Sequence, residues 1–517
     1  MATITVDRDR ASARVSMAGL GRRWVFPLMT LMLALTYSSA IFLKYALSDE
    51  HWIIRASKVW LRFDLRQGRP LFSLSIYATS LLHDRIGFDV VRVLRIGAVV
   101  GMAAAMSLLV VWLERWGVKR TSAVLMVAVL ATFPPFQIYI VDATWLVIPL
   151  LATISAMLLL HRALDSPQGR AGPRSLLAAA IVLLVLSLAF YQPAMLVGFG
   201  MLSVPLLWMD VRDSAEVRRR VRFVGVAAAL LIASIVVYYL VWLALWWTIE
   251  DHAMFYYGPT AFSTDPLGRL RFFFYYRLMQ TFNLWHVATV KPTWFLYSSL
   301  VVIAAGTAAD LERALTGGRP GQGLSGWGQK YLGATALLVA CDGIPLAATI
   351  QIWSYVTMPA LYLVATVLLA WSIHGAIVAL RWHSDRLFPA LLGAAVVAGV
   401  FMAQYTVLTY FALPLFVENQ IVKRGVQDYL KTHATLTRVH VVGRSDVIMN
   451  SGFMEYGWTN SRVDTYIRDM VKNVLDDLHL PSDIEVTAVS VAAAQLGTPS
   501  PVPADALVID LSRVNLR

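Results

Sequence analysis

With 517 residues, 58% apolar and only 15% charged, and a formal net charge of +12, the chain falls outside the soluble globular class. In a soluble protein such a basic balance would point to nucleic acid, but here Lys and Arg sit in short loops between apolar runs, which is the mark of membrane insertion. The single cysteine, Cys341, lies in an apolar segment and excludes a disulfide framework.

Residues 1–23 are polar and carry Arg8, Arg10, Arg14, Arg22 and Arg23, so they predict a cytoplasmic tail. The apolar run 24–43 lacks a small-residue cleavage site and predicts a retained first span. Two carboxylates follow it at once, in Ser48-Asp49-Glu50-His51-Trp52, and are expected outside. Over the external loop 44–89, Arg55, Lys58, Arg62 and Asp64 alternate with Trp52, Ile53, Val59, Trp60 and Phe63, a pattern that predicts a helix lying in the interface. Gly68-Arg69-Pro70 breaks it, and a second semi-polar helix is expected over 71–82.

Further spans are predicted over 90–113, 121–141, 143–160, 176–190, 194–209, 223–246, 294–309, 331–341, 359–380 and 387–416. The fold class is therefore mainly α, a polytopic bundle of about eleven spans, since many stretches run about 18 residues or more without a charge, the length that crosses a hydrocarbon core of about 30 Å. Lys and Arg are absent from the turns at Asp142, Tyr191 and 342–358 and abundant in the turns at the other end, which predicts a cytoplasmic N-terminus. The aromatic segment 247–293 is too long for an ordinary connection and is expected to be functional and external. Residues 24–416 thus form a transmembrane domain and 417–517 a small external α/β domain. Within that domain strands are expected from Arg438, Ile484 and Ala506, and an amphipathic helix over 463–478.

No Gly-rich phosphate loop, zinc-type His or Cys spacing or nucleophile elbow is present, which leaves external polar groups at the membrane surface. If a group passes from a lipid carrier to a hydroxyl, a carboxylate at headgroup level must take the hydroxyl proton, and Asp49 and Glu50 are the catalytic candidates. The plain alternative is a pair of solvated loop carboxylates, Glu50 capping the interfacial helix. A lipid phosphate needs cations: Arg69, between Gly68 and the stiff Pro70, comes first, then Arg269, Arg271, Arg277 and Lys291, all of which could equally be snorkelling residues. Asp142, Asp342, Tyr191, Gln192 and His286 are candidates for acceptor or sugar hydroxyls. Helix capping, satisfaction of broken backbone and an aromatic belt are the alternatives for Asp142, Gln192 and Trp285-His286 respectively.

Ser48-Asp-Glu-His-Trp, Gly68-Arg-Pro-Leu, Phe133-Pro-Pro-Phe ahead of Asp142, and Leu188-Ala-Phe-Tyr-Gln-Pro-Ala together resemble the type II O-antigen glucosyltransferase family. More broadly, the layout is similar to GT-C glycosyltransferases that use polyprenyl-phosphate sugars. The resemblance covers the spans to about residue 210, and the remainder by layout only. One departure is that His51 separates the acidic pair from the aromatic, which leaves open whether Asp49 or Glu50 is the base. The resemblance implies transfer of a hexose, glucose in the family, from undecaprenyl-phosphate-sugar onto a lipid-linked or growing O-antigen polysaccharide, usually with inversion, on the periplasmic side of the bacterial inner membrane. It further implies a polyprenyl-phosphate sugar synthase and a flippase as partners, and no nucleic acid; a divalent metal stays open. The rival classes are a transporter or flippase of lipid-linked saccharide, and an oligosaccharide polymerase. A transporter should show internal repeats and polar groups near the bilayer midplane, and neither stands out in the sequence.

Overall fold

The computed structural model describes residues 23–46, 50, 64–65, 67–142, 145–165, 172–247, 263–287, 291–316, 320–347, 354–444, 464–481, 483–491 and 505–512. Asp49 and the helix expected around residues 52–63 lie outside the described residues. Those described are mostly helical, with one small sheet near the C-terminus.

Helix α1 (Arg23–Thr36) is apolar; Val25, Met29 and Leu33, four apart, with Tyr37 after them, form its buried stripe, while Trp24, Leu28, Leu31 and Leu35 face outward. After the first loop come α2 (Pro70–Ile86) and α3 (Val90–Arg115). Next, α4 (Arg120–Leu130) and α5 (Pro134–Val141) meet at a bend of 68°. Pro134 and Pro135 have no N–H to return to the preceding turn, and Phe133 ahead of them is pushed to an extended conformation (φ −76°, ψ 153°). The broken backbone is repaired by side chains: Gln137 Nε2 donates to Thr132 O at 2.7 Å, and Tyr37 Oη donates to Ala131 O at 2.7 Å. The span expected over 121–141 is therefore a broken one, and every residue of α5 is buried.

The bundle continues with α6 (Val147–Asp165), α7 (Gly172–Phe190), α8 (Gln192–Leu207), α9 (Ser214–Trp247), α10 (Trp294–Thr316), α11 (Pro320–Ala340), α12 (Pro359–Ala379) and α13 (Ser384–Thr432). Of the seven long apolar helices α12 is the most enclosed, and α8 and α10 pack directly on it. At Gly306 a Cβ would stand 2.3 Å from Ser372 Cα, so only glycine lets α10 and α12 approach this closely.

Among the described residues seven helices, α3, α6, α7, α9, α10, α12 and α13, are long and apolar enough to cross a membrane, and an eighth if the bent α4 and α5 are one span. This is the architecture of a helical membrane protein. The other three of the eleven expected spans coincide with α1 and α8, which are shorter, and with α11, whose first half is Gly-rich and polar.

Helix α13 runs on past residue 416, through a π-helical turn at Leu408–Ala412, into the C-terminal unit. There β1 (Arg438–Arg444), α14 (Asp464–Asp477), β2 (Glu485–Val491) and β3 (Leu507–Asp510) build a parallel sheet of order β2-β1-β3, on the segments where strands and helix were expected. Val439, Val441 and Ile509 on one sheet face bury Val422 and Val426 of α13 and Ile467, Met470, Val471 and Val474 of α14. Asp477 ties this unit to the bundle, accepting from Lys44 Nζ at 2.6 Å and from Lys423 Nζ at 2.8 Å.

Candidate functional site

Three charged knots gather around α5 and the break between α7 and α8. The first is centred on Arg95, in the second turn of α3 and 1% exposed. A buried guanidinium is tolerable only if its fork is filled and its charge balanced. Arg95 Nε donates to Val141 O at 2.8 Å, Nη1 to Ala40 O at 3.2 Å and Tyr45 O at 3.0 Å, and Nη2 to Glu50 Oε2 at 3.0 Å. The ring of Tyr45 lies 3.9 Å from its Cζ. One side chain thus joins the ends of the first helical stretch and of α5 to Glu50, itself only 2% exposed. Glu50 is therefore a fixed counter-ion beside Asp49 in the chain, rather than a solvated loop carboxylate.

The second knot is the Gly68-Arg69-Pro70 break. The N–H of Arg69 closes a turn on Asp64 O at 2.8 Å, and Gly68 takes a left-handed φ of 72°. Arg69 Nε donates to Gln192 Oε1 at 3.0 Å, and Gln192 Nε2 donates back to Gln67 O at 3.1 Å and Gly68 O at 3.2 Å. Gln192 thus satisfies turn backbone while it orients the arginine, whose Cζ lies 5.0 Å over the Tyr191 ring. Asp64 is 1% exposed and among the described residues neither of its oxygens has a hydrogen-bond partner; Arg69 Nη1 stands 3.9 Å away. Burial pushes the Asp64 carboxyl up to about 7, with Arg69 opposing. Gly68→Ala tests the turn. Its Cβ would lie 2.8 Å from Trp242 Cε2, and left-handed backbone alone costs a non-glycine residue about 1–2 kcal/mol, so the variant should melt clearly below wild type. An unchanged melting temperature would count against this turn.

In the third knot, two residues expected to meet different ligands meet each other. Arg277, on the π-helical turn Phe273–Leu278, donates from Nε to Asp342 Oδ1 at 2.5 Å and from Nη2 to Thr357 Oγ1 at 3.0 Å, and all three residues are buried. Burial raises the Asp342 carboxyl to about 6 against the pull of Arg277. The turn Tyr355–Thr357 packs on α5, which brings this knot to the same end of the bundle as the others.

The remaining candidates are more dispersed. Asp142 is half-buried at the C-terminal end of α5, where its N–H donates to Ile138 O. Among the described residues His286 Nε2 is buried without a partner, and burial lowers the pKa of the ring. Arg269 is buried and donates to Ser263 Oγ at 3.2 Å; Arg271 and Lys291 are exposed. Among the described residues no three His, Cys, Asp or Glu side chains form a group that could hold a metal ion.

The sequence reading missed Arg95 and Asp64 as site residues, and also a buried pair inside the bundle. Lys330 Nζ donates to Asp310 Oδ2 at 2.7 Å and lies 3.8 Å from the centre of the Trp371 ring. The available signal was a lone charge within or beside an apolar run, which needs a partner when buried. A scan against protein-family models finds no match for the chain, and a search of curated proteins finds no significant one.

Proposed function

We propose that the protein is a membrane-embedded glycosyltransferase of GT-C type that moves a hexose from a polyprenyl-phosphate carrier to a hydroxyl of a lipid-linked or growing surface polysaccharide at the periplasmic face of the inner membrane. The observation that carries this reading is the gathering of Glu50–Arg95, Asp64–Arg69 and Arg277–Asp342 at one end of the bundle. Charge is expensive beside hydrocarbon, so three buried or half-buried pairs at one end support a site for a polar headgroup. In this account Asp49 takes the acceptor proton, Glu50 fixed by Arg95 sets the backbone that presents it, and Arg69 meets the phosphate. The eleven-span count with a cytoplasmic N-terminus belongs to the same proposal. A reporter fused after Arg517 should be active only in the periplasm, and one within residues 212–220 only in the cytoplasm. The reverse pattern would put Asp49 on the wrong side.

A second reading is a transporter or flippase of lipid-linked saccharide, for which Lys330 and Asp310, an ion pair buried between α11 and α10 close to Asp210, would be the charged group outside the three knots. Activity in detergent separates the two. A transferase still moves sugar between solubilised substrates, whereas a flippase has no second compartment to serve.

A further inference from the structure

We propose that Asp64 and Arg69 form a binding site for a phosphodiester, in which Asp64 acts as a neutral carboxylic acid that donates a hydrogen bond beside the guanidinium. Three observations carry it. Asp64 is almost fully buried and among the described residues neither oxygen finds a hydrogen-bond partner, although buried polar groups are paired in the great majority of cases. Its charged neighbour, Arg69 Nη1, stands at 3.9 Å, within Coulomb range and beyond a hydrogen bond. Among the described residues the partly exposed Arg69 side chain is hydrogen-bonded through Nε alone, and α2 opens directly after it with no side-chain cap.

A phosphodiester carries one negative charge. An ionised Asp64 would repel it; the protonated acid supplies an O–H to one phosphate oxygen while the guanidinium holds another. Burial already poises Asp64 near pH 7, and the charged group facing it among the described residues is Arg69. The phenols of Tyr191 and Tyr238 lie around Arg69 and Gln192. The site therefore binds its ligand together with a proton. The inference rests on the glycosyl-transfer reading only for naming a lipid as the source of the phosphodiester.

The test is calorimetric binding of methyl farnesyl phosphodiester, which does not titrate between these pH values and carries no sugar, to the detergent-solubilised full chain at pH 6 and pH 8. Wild type is expected to bind about tenfold more weakly at pH 8, because the acid form falls from nearly all to about a tenth of the molecules. Asp64→Asn, whose amide donates at either pH, should bind equally at both, near the wild-type value at pH 6; Arg69→Ala should lose binding at both. Pair binding of dimethyl phosphate with the same pH dependence assigns the site to phosphate esters at large, and its failure to bind assigns it to a lipid headgroup. Wild-type binding that is flat between pH 6 and pH 8 overturns the proposal without any variant, as does an Asp64→Asn protein that keeps the full pH dependence. Sugar transfer with flat binding would remove this site and leave the transferase; pH-dependent binding without transfer would do the reverse.

Discussion

Asp49→Asn is expected to lower glycosyl transfer by roughly 100- to 10,000-fold while the protein accumulates normally in the membrane. A sugar hydroxyl is a poor nucleophile at neutral pH, so a carboxylate within hydrogen-bond reach must take its proton as the new bond forms, and the amide keeps the shape without that capacity. Glu50→Gln should behave differently. Glu50 is ion-paired to the buried Arg95 at 3.0 Å, so its loss leaves a guanidinium unbalanced and lowers thermal stability along with activity. Rate and melting temperature measured together separate the roles: rate alone falls for Asp49→Asn, and both fall for Glu50→Gln. Should Asp49→Asn transfer at a near-normal rate while stable Glu50→Gln does not, the base is Glu50. Full activity in both and in the double variant would leave the acidic pair without a catalytic role.

The largest effect on stability is expected at Arg95. Its fork reaches three backbone carbonyls and Glu50, and Arg95→Met removes all four of these hydrogen bonds from a buried site. Removing one partner of a buried ion pair typically costs about 3–5 kcal/mol, enough to deplete the folded protein from the membrane. Arg95→Lys should recover only part of it, since an ammonium has three donors and no planar fork. Thermal denaturation followed by size-exclusion fluorescence reads the difference. A wild-type melting temperature for Arg95→Met would mean that the first loop is held by something other than this knot.

Much of this architecture was readable because it follows from local rules. Pro134 and Pro135 mark the break in the third span, Gly68 and Pro70 mark the turn that presents Arg69, and the 3.6-residue period of Ile467, Met470, Val471 and Val474 marks α14. Partnership across the bundle was not readable. Arg95 and Glu50 are 45 residues apart and Arg277 and Asp342 are 65 apart, and only helix packing makes each pair a contact. Asp64 was hidden for another reason: in the sequence it is one more polar position alternating with Arg55, Lys58 and Arg62 along an expected interfacial helix, and its burial is a property of the fold. Gln192 meets the plainer expectation, closing backbone at Gln67 and Gly68, and also holds Arg69.

Sugar transfer is tested most directly by mass analysis of the surface polysaccharide from cells that carry the wild-type chain, the Asp49→Asn chain or neither. The account predicts a mass increment of one hexose per modified repeat unit with the wild-type chain alone, and unmodified polysaccharide in the other two. Identical masses in all three, with the wild-type protein present in the membrane, would contradict it.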